Sequence, residues 1–377
     1  MSSASFDTVI IGGGIAGLAC ARQLQEHHQE FLLISKDIGG RIRTSEDGTV
    51  NYGAFFVCSD YNHVLPFVKI HRRIKLSDFC FHEDDTHFGY YSPQLMAYLP
   101  QLFKVKTLLH TFRKAFRRFR KSSETLSQKQ AIEQDPFLFQ LYMKNASDYI
   151  QEHHLQKGMN KYLSKGLYAT TFSSVHNMNA FSCLQFLLPL VTPIYTFTFL
   201  IEKMIEPFQK RILLSEVIGL QRKNNCYTIK HKTGNVQTRN VVIATDLPSM
   251  KSLTGITKTN TPVSTHMMHI RGTLKKRFTK KMYHLFSPPS NIQAIADNFD
   301  GTYLLYYKHH QPTLDRLCTN AEILAQHEWN PAGSINGHTL IESNCGNGLY
   351  VIGDCNVAGV EESYITGLYA AHQIING

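Results

Sequence analysis

The sequence is poor in acidic residues, and this shortage limits the classes of protein it can encode. Its 377 residues include 29 Asp and Glu against 39 Lys and Arg, a formal net charge of +10. Eight of the basic residues lie between Lys104 and Lys121 with no acid among them, so the rest of the chain carries +2 (10 − 8). The charge marks one basic surface, and no nucleic-acid reader motif accompanies it. We therefore expect no nucleic-acid partner.

Other features are absent as well. The 8 cysteines include no Cys-x-x-Cys pair, and the sequence shows no metal-ligand cluster, P-loop or Ser-His-Asp set. We predict reduced cysteines, mostly small core residues such as Cys20 and Cys58, no metal site and a cytoplasmic location. The apolar stretch 186–201 is short and is interrupted by prolines and threonines. We therefore expect no transmembrane helix, and because the first strand is predicted to start near Phe6 we also expect no signal peptide.

The chain does contain a phosphate-binding turn in its structural context. Residues 9–17 read Val-Ile-Ile-Gly-Gly-Gly-Ile-Ala-Gly, an apolar strand that runs into Gly-x-Gly-x-x-Gly. Gly12 permits the tight turn, Gly14 lets a pyrophosphate approach the backbone, and Gly17 lets helix and strand pack closely. A following helix and a second strand at 31–34 complete a βαβ unit, whose helix N-terminus favours an anion. This pattern predicts a bound dinucleotide; a glycine-rich turn without a ligand is the alternative.

Two further blocks accompany this turn, one near each end of the chain. The first reads Gly39-Gly40-Arg41-Ile42-Arg43-Thr44 and is followed by Asn51-Tyr52-Gly53-Ala54. The second reads Gly348-Leu349-Tyr350-Val351-Ile352-Gly353-Asp354, followed by Val360-Glu361-Glu362-Ser363 and Gly367-Leu368-Tyr369-Ala370-Ala371. In this order the blocks resemble the superfamily of flavin-containing amine oxidases, phytoene desaturases and protoporphyrinogen oxidases. The resemblance covers both ends closely and residues 194–248 loosely.

The resemblance implies an α/β fold in which a Rossmann-like FAD-binding domain is interleaved with an α+β substrate domain. The FAD-binding domain is of the GR2 type and p-hydroxybenzoate hydroxylase-like in architecture. It would comprise residues 1–60, 195–255 and 335–377, and the substrate domain residues 61–194 and 256–334. Within these, residues 61–190 read as largely helical. We expect a meander of strands at 211–220, 226–231 and 236–238, a strand at 241–245, and substrate-domain strands at 263–271 and 302–308.

The resemblance also implies how FAD would be held. Arg41 would lie against the pyrophosphate, while Arg43 either assists it or is a surface residue. Asp354 would hold a ribityl hydroxyl, and the helix that starts near Glu361 would direct its positive end at the isoalloxazine. Val217 would offer its backbone to adenine or belong to a plain hairpin. The complete set of predicted cofactor-binding residues is Gly12, Gly14, Ile15, Ala16, Gly17, Ser35, Lys36, Gly40, Arg41, Ile42, Val217, Ala244, Gly353, Asp354, Glu362 and Ser363.

One position departs from the expected pattern. Folds of this kind usually have an acidic residue at the end of the second strand, where it binds the adenosine ribose. Here that position is Ser35, within Ile34-Ser35-Lys36-Asp37. Ser35 can still bind a hydroxyl, and Asp37 is close enough in sequence to assist.

The substrate-facing residues are less well defined. Many amine oxidases of the superfamily have a lysine on a substrate-domain strand, but the comparable stretch 262–270 has none. Its titratable residues are His266 and His269. They are either catalytic bases or strand histidines without a catalytic role. Hydride transfer to flavin requires no protein base. A second Gly-x-Gly-x-x-Gly after a strand is missing, so we expect electrons to pass to oxygen, a quinone or another diffusible acceptor.

The basic segment carries an apolar stripe at helical spacing. Phe103, Phe112, Phe116 and Phe119 lie opposite the basic residues. Residues 103–121 therefore fit a helix at an anionic membrane surface, or a core-packed helix with a solvated basic face. Together these observations predict an FAD-dependent oxidase or desaturase that moves a hydride from an amine or an apolar C–C or C–N substrate to flavin N5. The alternative is a non-catalytic flavin protein that docks through its basic helix to a membrane or a partner.

Overall fold

The computed structural model describes residues 4–83, 86–278 and 281–377 and contains three β-sheets covered by helices. Its strands, in chain order, are β1 (Ala4–Gly14), β2 (Phe31–Gly39), β3 (Val57–Cys58), β4 (Val68–Ile74), β5 (Phe79–Glu83), β6 (Thr86–Gly89), β7 (Ile194–Phe199), β8 (Ile212–Leu214), β9 (Val217–Lys223), β10 (Cys226–His231), β11 (Gly234–Ile243), β12 (Thr261–Leu274), β13 (Tyr283–Phe286), β14 (Ile292–Asp297), β15 (Thr302–Tyr307), β16 (Cys318–Asn336) and β17 (Leu349–Val351).

The helices occur at both ends of the chain and in one long central run. They are α1 (Ile15–Glu26), α2 (Leu99–Ser122), α3 (Gln128–Glu133), α4 (Pro136–Met143), α5 (Ala146–Glu152), α6 (Gln156–Gly158), α7 (Ser164–Thr171), α8 (Ala180–Leu187), α9 (Ile201–Ile205), α10 (Leu247–Thr254) and α11 (Val360–Asn376).

The first sheet has the order β8-β2-β1-β11-β10-β9, and β17 also pairs with β11. The central strand β1 runs parallel to both β2 and β11, and its residues Val9, Ile10 and Ile11 are all buried. A strand buried on both faces requires such a continuous apolar run. The sheet combines strands from distant parts of the chain, which confirms the predicted Rossmann-like fold class. The exact domain boundaries stay a prediction.

The strand prediction for 211–245 was partly wrong. The predicted strand 211–220 is two strands, because β8 pairs in parallel with β2 whereas β9 pairs with β10. The predicted strands at 236–238 and 241–245 form one long strand, β11, which pairs with β10 at its beginning and with β17 at its end. Local patterns correctly indicated that these segments are extended. They contained no information on which neighbouring strand each segment would pair with.

The second sheet has the order β16-β12-β15-β14-β13-β5-β6, and β12 and β15 confirm the strands predicted at 263–271 and 302–308. The expectation that residues 61–190 are largely helical holds only after residue 92. Strands β5 and β6 form a hairpin that extends this sheet, while β4 belongs to a separate sheet with β3 and β7. These short strands pair with segments that are distant in sequence: β5 pairs with β13, and β3 and β4 pair with β7.

Helix α2 buries its apolar stripe. Phe112, Phe116 and Phe119 are buried and their rings surround Phe181 of α8 at centroid distances of 5.4, 5.7 and 5.8 Å. Phe103, at the start of the stripe, is 62% exposed. The stripe is therefore mainly a core contact. Among the described residues, no helix combines the length and the apolarity needed to cross a bilayer.

Candidate functional site

The turn between β1 and α1 opens onto a cavity of about 890 Å³. The cavity is lined by the glycine-rich turn, by the end of β2 and by Val217. It is also lined by Asp354, by Trp329 and by the first turn of α11, called here the α11 end. A volume of this size suits a ligand the size of a cofactor.

The cavity brings the predicted cofactor-binding residues together. All of them line it except Gly17. A side chain at Gly17 would collide with the carbonyl of Gly12 and approach Ala244 Cβ to 3.2 Å, so Gly17 permits the close packing of helix and strand. The remaining members come from the first 42 residues, from 217–244 and from 353–363, which lie far apart in sequence and meet only in the fold.

Gly14 has a different environment from the other glycines of the turn. Its φ of −77° is accessible to any residue, and a Cβ built there would meet no protein atom within 4 Å. Neither backbone conformation nor packing in the protein explains a glycine at this position. A ligand that approaches the backbone from the cavity would explain it.

The end of β2 is occupied by hydrogen bonds within the protein. Ser35 Oγ accepts a hydrogen bond from the Gly13 N–H at 2.8 Å and donates one to the Asp37 carbonyl at 2.6 Å. Asp37 in turn pairs with Arg43 at 2.6 Å. Ser35 thus stabilises the phosphate-binding turn directly, a role that sequence analysis did not predict. Arg43 forms a surface ion pair.

Arg41 and Asp354, which the resemblance assigned to different parts of FAD, bind each other. The guanidinium donates to both carboxylate oxygens, at 2.6 and 2.7 Å, and also to the carbonyl of Ala332 at 3.1 Å. Burial by itself would raise the pKa of Asp354, but the charge and hydrogen bonds of Arg41 outweigh it and hold this pKa below its usual value. The pair stays charged, and within the described part of the chain two of the five guanidinium N–H groups have no partner and are left for a ligand.

A second buried ion pair, which sequence analysis missed, lies at the α11 end of the cavity. Arg120 of α2 donates from Nε and Nη2 to Glu362 Oε1, at 2.8 and 2.6 Å. Burial lowers the pKa of Arg120, but Glu362, Tyr61 and Asp60 together outweigh it and raise this pKa, so the guanidinium is charged. Asp60 Oδ1 is 3.5 Å away. Arg120 follows Phe116 by four residues and so lies on the buried side of α2, a signal that was available in the sequence.

Aromatic side chains enclose this end of the cavity. Tyr306 lies 4.6 Å from Phe55 and 5.8 Å from Phe172, measured between ring centroids, and all three line the cavity. Trp329 also lines the cavity. Trp329 Nε1 and Gln185 Oε1, both buried atoms of cavity-lining residues, have no hydrogen-bond partner in the described part of the chain. Unpartnered buried polar atoms are consistent with a polar ligand beside them.

The two histidines that were candidate bases lie elsewhere. His269 is buried, and its Nδ1 is 3.1 Å from the hydroxyl of Tyr52. His266 stacks on Tyr307 at 5.1 Å between ring centroids. Neither residue lines the cavity. The geometry therefore does not support a catalytic role for either of them.

A second cavity, of about 760 Å³, adjoins the first. Both cavities are lined by Phe55, Phe56, Thr170, Phe186 and Pro189, which therefore form the junction between them. Most of the other lining residues of the second cavity are aromatic or aliphatic. The arrangement provides an apolar compartment next to the enclosed end of the first cavity.

One group of possible metal ligands was missed by sequence analysis, which predicted none. Cys80 and His82 on β5 and His284 on β13 are buried, and their ligand atoms lie within 4.8 Å of one another. None of the three lines either cavity. His82 Nε2 and His284 Nδ1 are 2.9 Å apart and share a hydrogen bond. Burial lowers the pKa of His82 to about 3 and that of His284 to about 4, so both rings are neutral and form part of the core.

Comparisons with known proteins agree with this architecture. A family model described as an NAD(P)-binding Rossmann-like domain matches residues 10–70. Flavin-containing amine oxidase A of Equus caballus is 39% identical over 74 residues, which make up 18% of this chain and 14% of that protein. The corresponding enzyme of Canis lupus familiaris is 39% identical over 69 residues, 17% of this chain and 13% of that protein. The similarity in sequence thus spans about one seventh of the length of these relatives.

Similarity of structure extends over the whole chain. A putrescine oxidase bound to putrescine superposes with a TM-score of 0.71 at 12% identity, with full coverage of both chains. Cyclohexylamine oxidase from Brevibacterium oxydans IH-35A has a TM-score of 0.67 at 13% identity and covers 98% of each chain. A putative protoporphyrinogen oxidase from Exiguobacterium sp. 255-15 has a TM-score of 0.62 at 13% identity, covering 100% of this chain and 98% of the other. At these identities the likeness establishes the fold.

Proposed function

We propose that this chain, which has the fold of the flavin amine oxidase superfamily, is an FAD-dependent oxidoreductase acting on a small, largely apolar molecule. The observation that carries the proposal is the environment of Gly14, a glycine that neither the backbone nor the packing requires and that faces an 890 Å³ cavity. The flavin-containing amine oxidases with which the chain shares sequence support the choice of cofactor.

The residues at each end of the cavity fit the two ends of FAD. The amides of the glycine-rich turn and the start of α1 suit the pyrophosphate, with Arg41 beside them. Val217 and the end of β2 suit the adenosine half. Elsewhere in the cavity, Phe55, Phe172 and Tyr306 suit a flat ring, and Asp354, which is paired with Arg41, suits a ribityl hydroxyl. The N-terminus of α11 and the Arg120–Glu362 pair also line the cavity and would favour negative charge on the ring.

Bound flavin would supply the redox chemistry, as acceptor of a hydride from a substrate C–H bond and as donor of two electrons to oxygen, a quinone or another diffusible acceptor. The protein positions the substrate, excludes water and stabilises charge. The substrate would be an amine or an apolar molecule oxidised at a C–C or C–N bond, bound in the second cavity. Its bond to be oxidised would lie at the junction formed by Phe55 and Thr170.

The first experiment measures FAD binding with a matched pair of variants. The protein's absorbance spectrum, before and after denaturation, reports whether flavin is present and whether it is covalently attached. In Gly14→Ala the added methyl group enters open space, so we expect unchanged stability of the flavin-free protein and a loss of FAD affinity of about tenfold or more. Gly219→Ala on β9 is the control, because Gly219 does not line the cavity and its Cβ would meet only Lys230 Cβ at 3.8 Å. Folded, colourless protein that does not take up FAD would refute the proposal.

The second experiment separates an enzyme from a flavin protein without activity. The flavin-loaded protein is mixed anaerobically with candidate amines and with apolar polyenes. An enzyme bleaches its flavin absorbance with its substrate, whereas a docking protein does not. Bleaching by none of these compounds would favour the docking alternative.

Membrane docking is the second candidate function, and one observation favours it. Tyr91, Met96 and Phe103 are exposed apolar residues near the start of the basic helix α2. Arg113 and Arg120, by contrast, bind Asp60 and Glu362, so neutralising them would disturb the core. The sharper test is Phe103→Ser in sedimentation with vesicles containing phosphatidylserine. Vesicle binding that is lost in this variant supports docking; absence of vesicle binding by the unmodified protein rules it out.

A further inference from the structure

The second cavity has an uneven distribution of charge. Among the residues that the structure describes, its lining contains Arg73, Lys75, Lys106 and His110 but no aspartate or glutamate. Arg73 and Lys75 lie at the end of β4, and Lys106 and His110 lie one turn apart on α2. The four residues therefore approach the cavity from two different elements.

These basic groups are available to a ligand. In the described part of the chain, the side chains of Arg73, Lys75 and Lys106 form no ion pair, whereas the neighbouring Arg72 is paired with Asp78 at 3.1 Å. Arg73, Lys75 and Lys106 are exposed, so the basic groups lie where the cavity meets solvent. Phe81, Tyr162 and Leu285 are among its apolar lining residues, and the junction with the first cavity is formed mainly by Phe55, Phe56, Phe186 and Pro189. The cavity is thus basic at its mouth and apolar toward the junction.

This arrangement disfavours a cationic substrate. A protonated amine entering the cavity would be repelled by like charges at the mouth, and it would find no carboxylate among the lining residues that the structure describes. An anionic group at the mouth would instead form charge-assisted hydrogen bonds to lysine and arginine, while an apolar chain would fill the space behind it. Such a ligand matches both parts of the cavity.

We propose that the second cavity binds an apolar molecule with a carboxylate at one end, held by Arg73 and Lys106, with its chain extending to the junction at Phe55 and Thr170. This inference deepens the proposed function and rests on it for the oxidation itself. It separates this chain from the putrescine oxidase of the same fold, which was solved with a diamine. The binding preference is a property of the cavity and does not depend on the flavin.

The test compares three ligands of equal chain length, dodecanoate, dodecylamine and dodecan-1-ol, each below the concentration at which it forms micelles. Binding to the purified protein is measured by isothermal titration calorimetry, and the flavin content of the same sample by absorbance. We expect dodecanoate to bind about tenfold tighter than either other ligand, equivalent to about 1.4 kcal/mol. Equal or tighter binding of dodecylamine would overturn the proposal, and this comparison needs no variant.

Variants then locate the anionic group. Lys106→Gln combined with Arg73→Gln should reduce the affinity for dodecanoate about tenfold and leave that for dodecan-1-ol unchanged. Lys104→Gln is the matched control, because Lys104 is an exposed lysine of the same helix that does not line the cavity. An equal loss in Lys104→Gln would show that only general surface charge matters and would refute the assignment.

The two proposals can fail separately. Protein that binds dodecanoate through Lys106 but takes up no FAD keeps the inference about the cavity and refutes the proposed function. Flavin-loaded protein that prefers dodecylamine keeps the proposed function and refutes the inference.

Discussion

The buried pair of Arg120 and Glu362 allows a stability prediction in which the structure sets the magnitude. The side chains are 10% and 1% exposed, and two guanidinium nitrogens bind one carboxylate oxygen. Glu362→Gln keeps the shape of the side chain and removes its charge, leaving Arg120 buried without its main counter-ion. Breaking a buried pair in this way costs about 3–5 kcal/mol. Asp60 remains 3.5 Å from Arg120, so we expect a loss near 3 kcal/mol in the free energy of unfolding.

The assay is urea denaturation of flavin-free protein followed by circular dichroism, so that cofactor binding does not contribute to the measured stability. Arg120→Met is expected to lose a similar amount, because it leaves the Glu362 carboxylate buried and uncompensated. In the double variant neither charge is left unpaired, so its loss should be smaller than the sum of the single losses by about 2 kcal/mol. Strictly additive losses would show that the two residues do not act as a pair.

A solvent-exposed pair provides the control. Lys129 and Glu133 are separated by 4.0 Å on the surface of α3, and their side chains are 34% and 43% exposed. Solvent screens such pairs, so Glu133→Gln should change the free energy of unfolding by no more than a few tenths of a kcal/mol. A loss as large as that of Glu362→Gln would mean that burial is not the cause.

Three further predictions concern the core and the turn. Burial lowers the pKa of His82 to about 3 and of His284 to about 4, whereas an unfolded histidine titrates near 6.5. Because unfolding takes up protons below pH 6.5, we expect the free energy of unfolding to be steady above that pH and to fall between pH 6.5 and 4, by up to about 1.4 kcal/mol per pH unit per histidine. Urea denaturation of the His82→Phe variant should show a shallower fall with pH. A fall identical to that of the unmodified protein would contradict this explanation. Gly367→Ala places a methyl group against the Ala16 carbonyl where α11 crosses α1, so thermal unfolding should show a loss of about 2 kcal/mol or more, and a neutral effect would be inconsistent with that close contact. Ser35→Ala leaves the Gly13 N–H without its acceptor, and we expect a loss of about 1 kcal/mol by urea denaturation, with unchanged stability as the opposing result.

Much of the cofactor end of the site could be predicted because its residues form contiguous motifs. The glycine-rich turn needs only a strand, a helix and three glycines in sequence, and Gly12, Gly14 and Arg41 all line the cavity. The block ending in Asp354 was recognisable for the same reason. The binding partners of the individual cofactor-site residues were harder to predict from the sequence. Arg41 and Asp354 are separated by 313 positions, and their ion pair follows from the way β17 joins the first sheet.

The substrate end could not be predicted in the same way. Its features are juxtapositions of single residues from distant elements, such as Arg73 with Lys106 and Arg120 with Glu362. The basic run 104–121 was evident in the sequence, but the direction of each side chain was not. Phe112 and Phe116 lie in the core, Arg120 reaches the first cavity, and Lys106 reaches the mouth of the second.

By itself, therefore, the sequence determined the βαβ unit, the location of the phosphate-binding turn and the apolar central strands, because each depends on the conformational preferences and polarity of neighbouring residues. Only the tertiary structure decided that β8 pairs with β2, that α2 contributes Arg120 to the first cavity and that Arg73 and Lys106 line the second one. These features depend on which distant segments pack together. Which segments pack together depends on how the whole chain buries its apolar surface, because no local segment contains both members of a contacting pair.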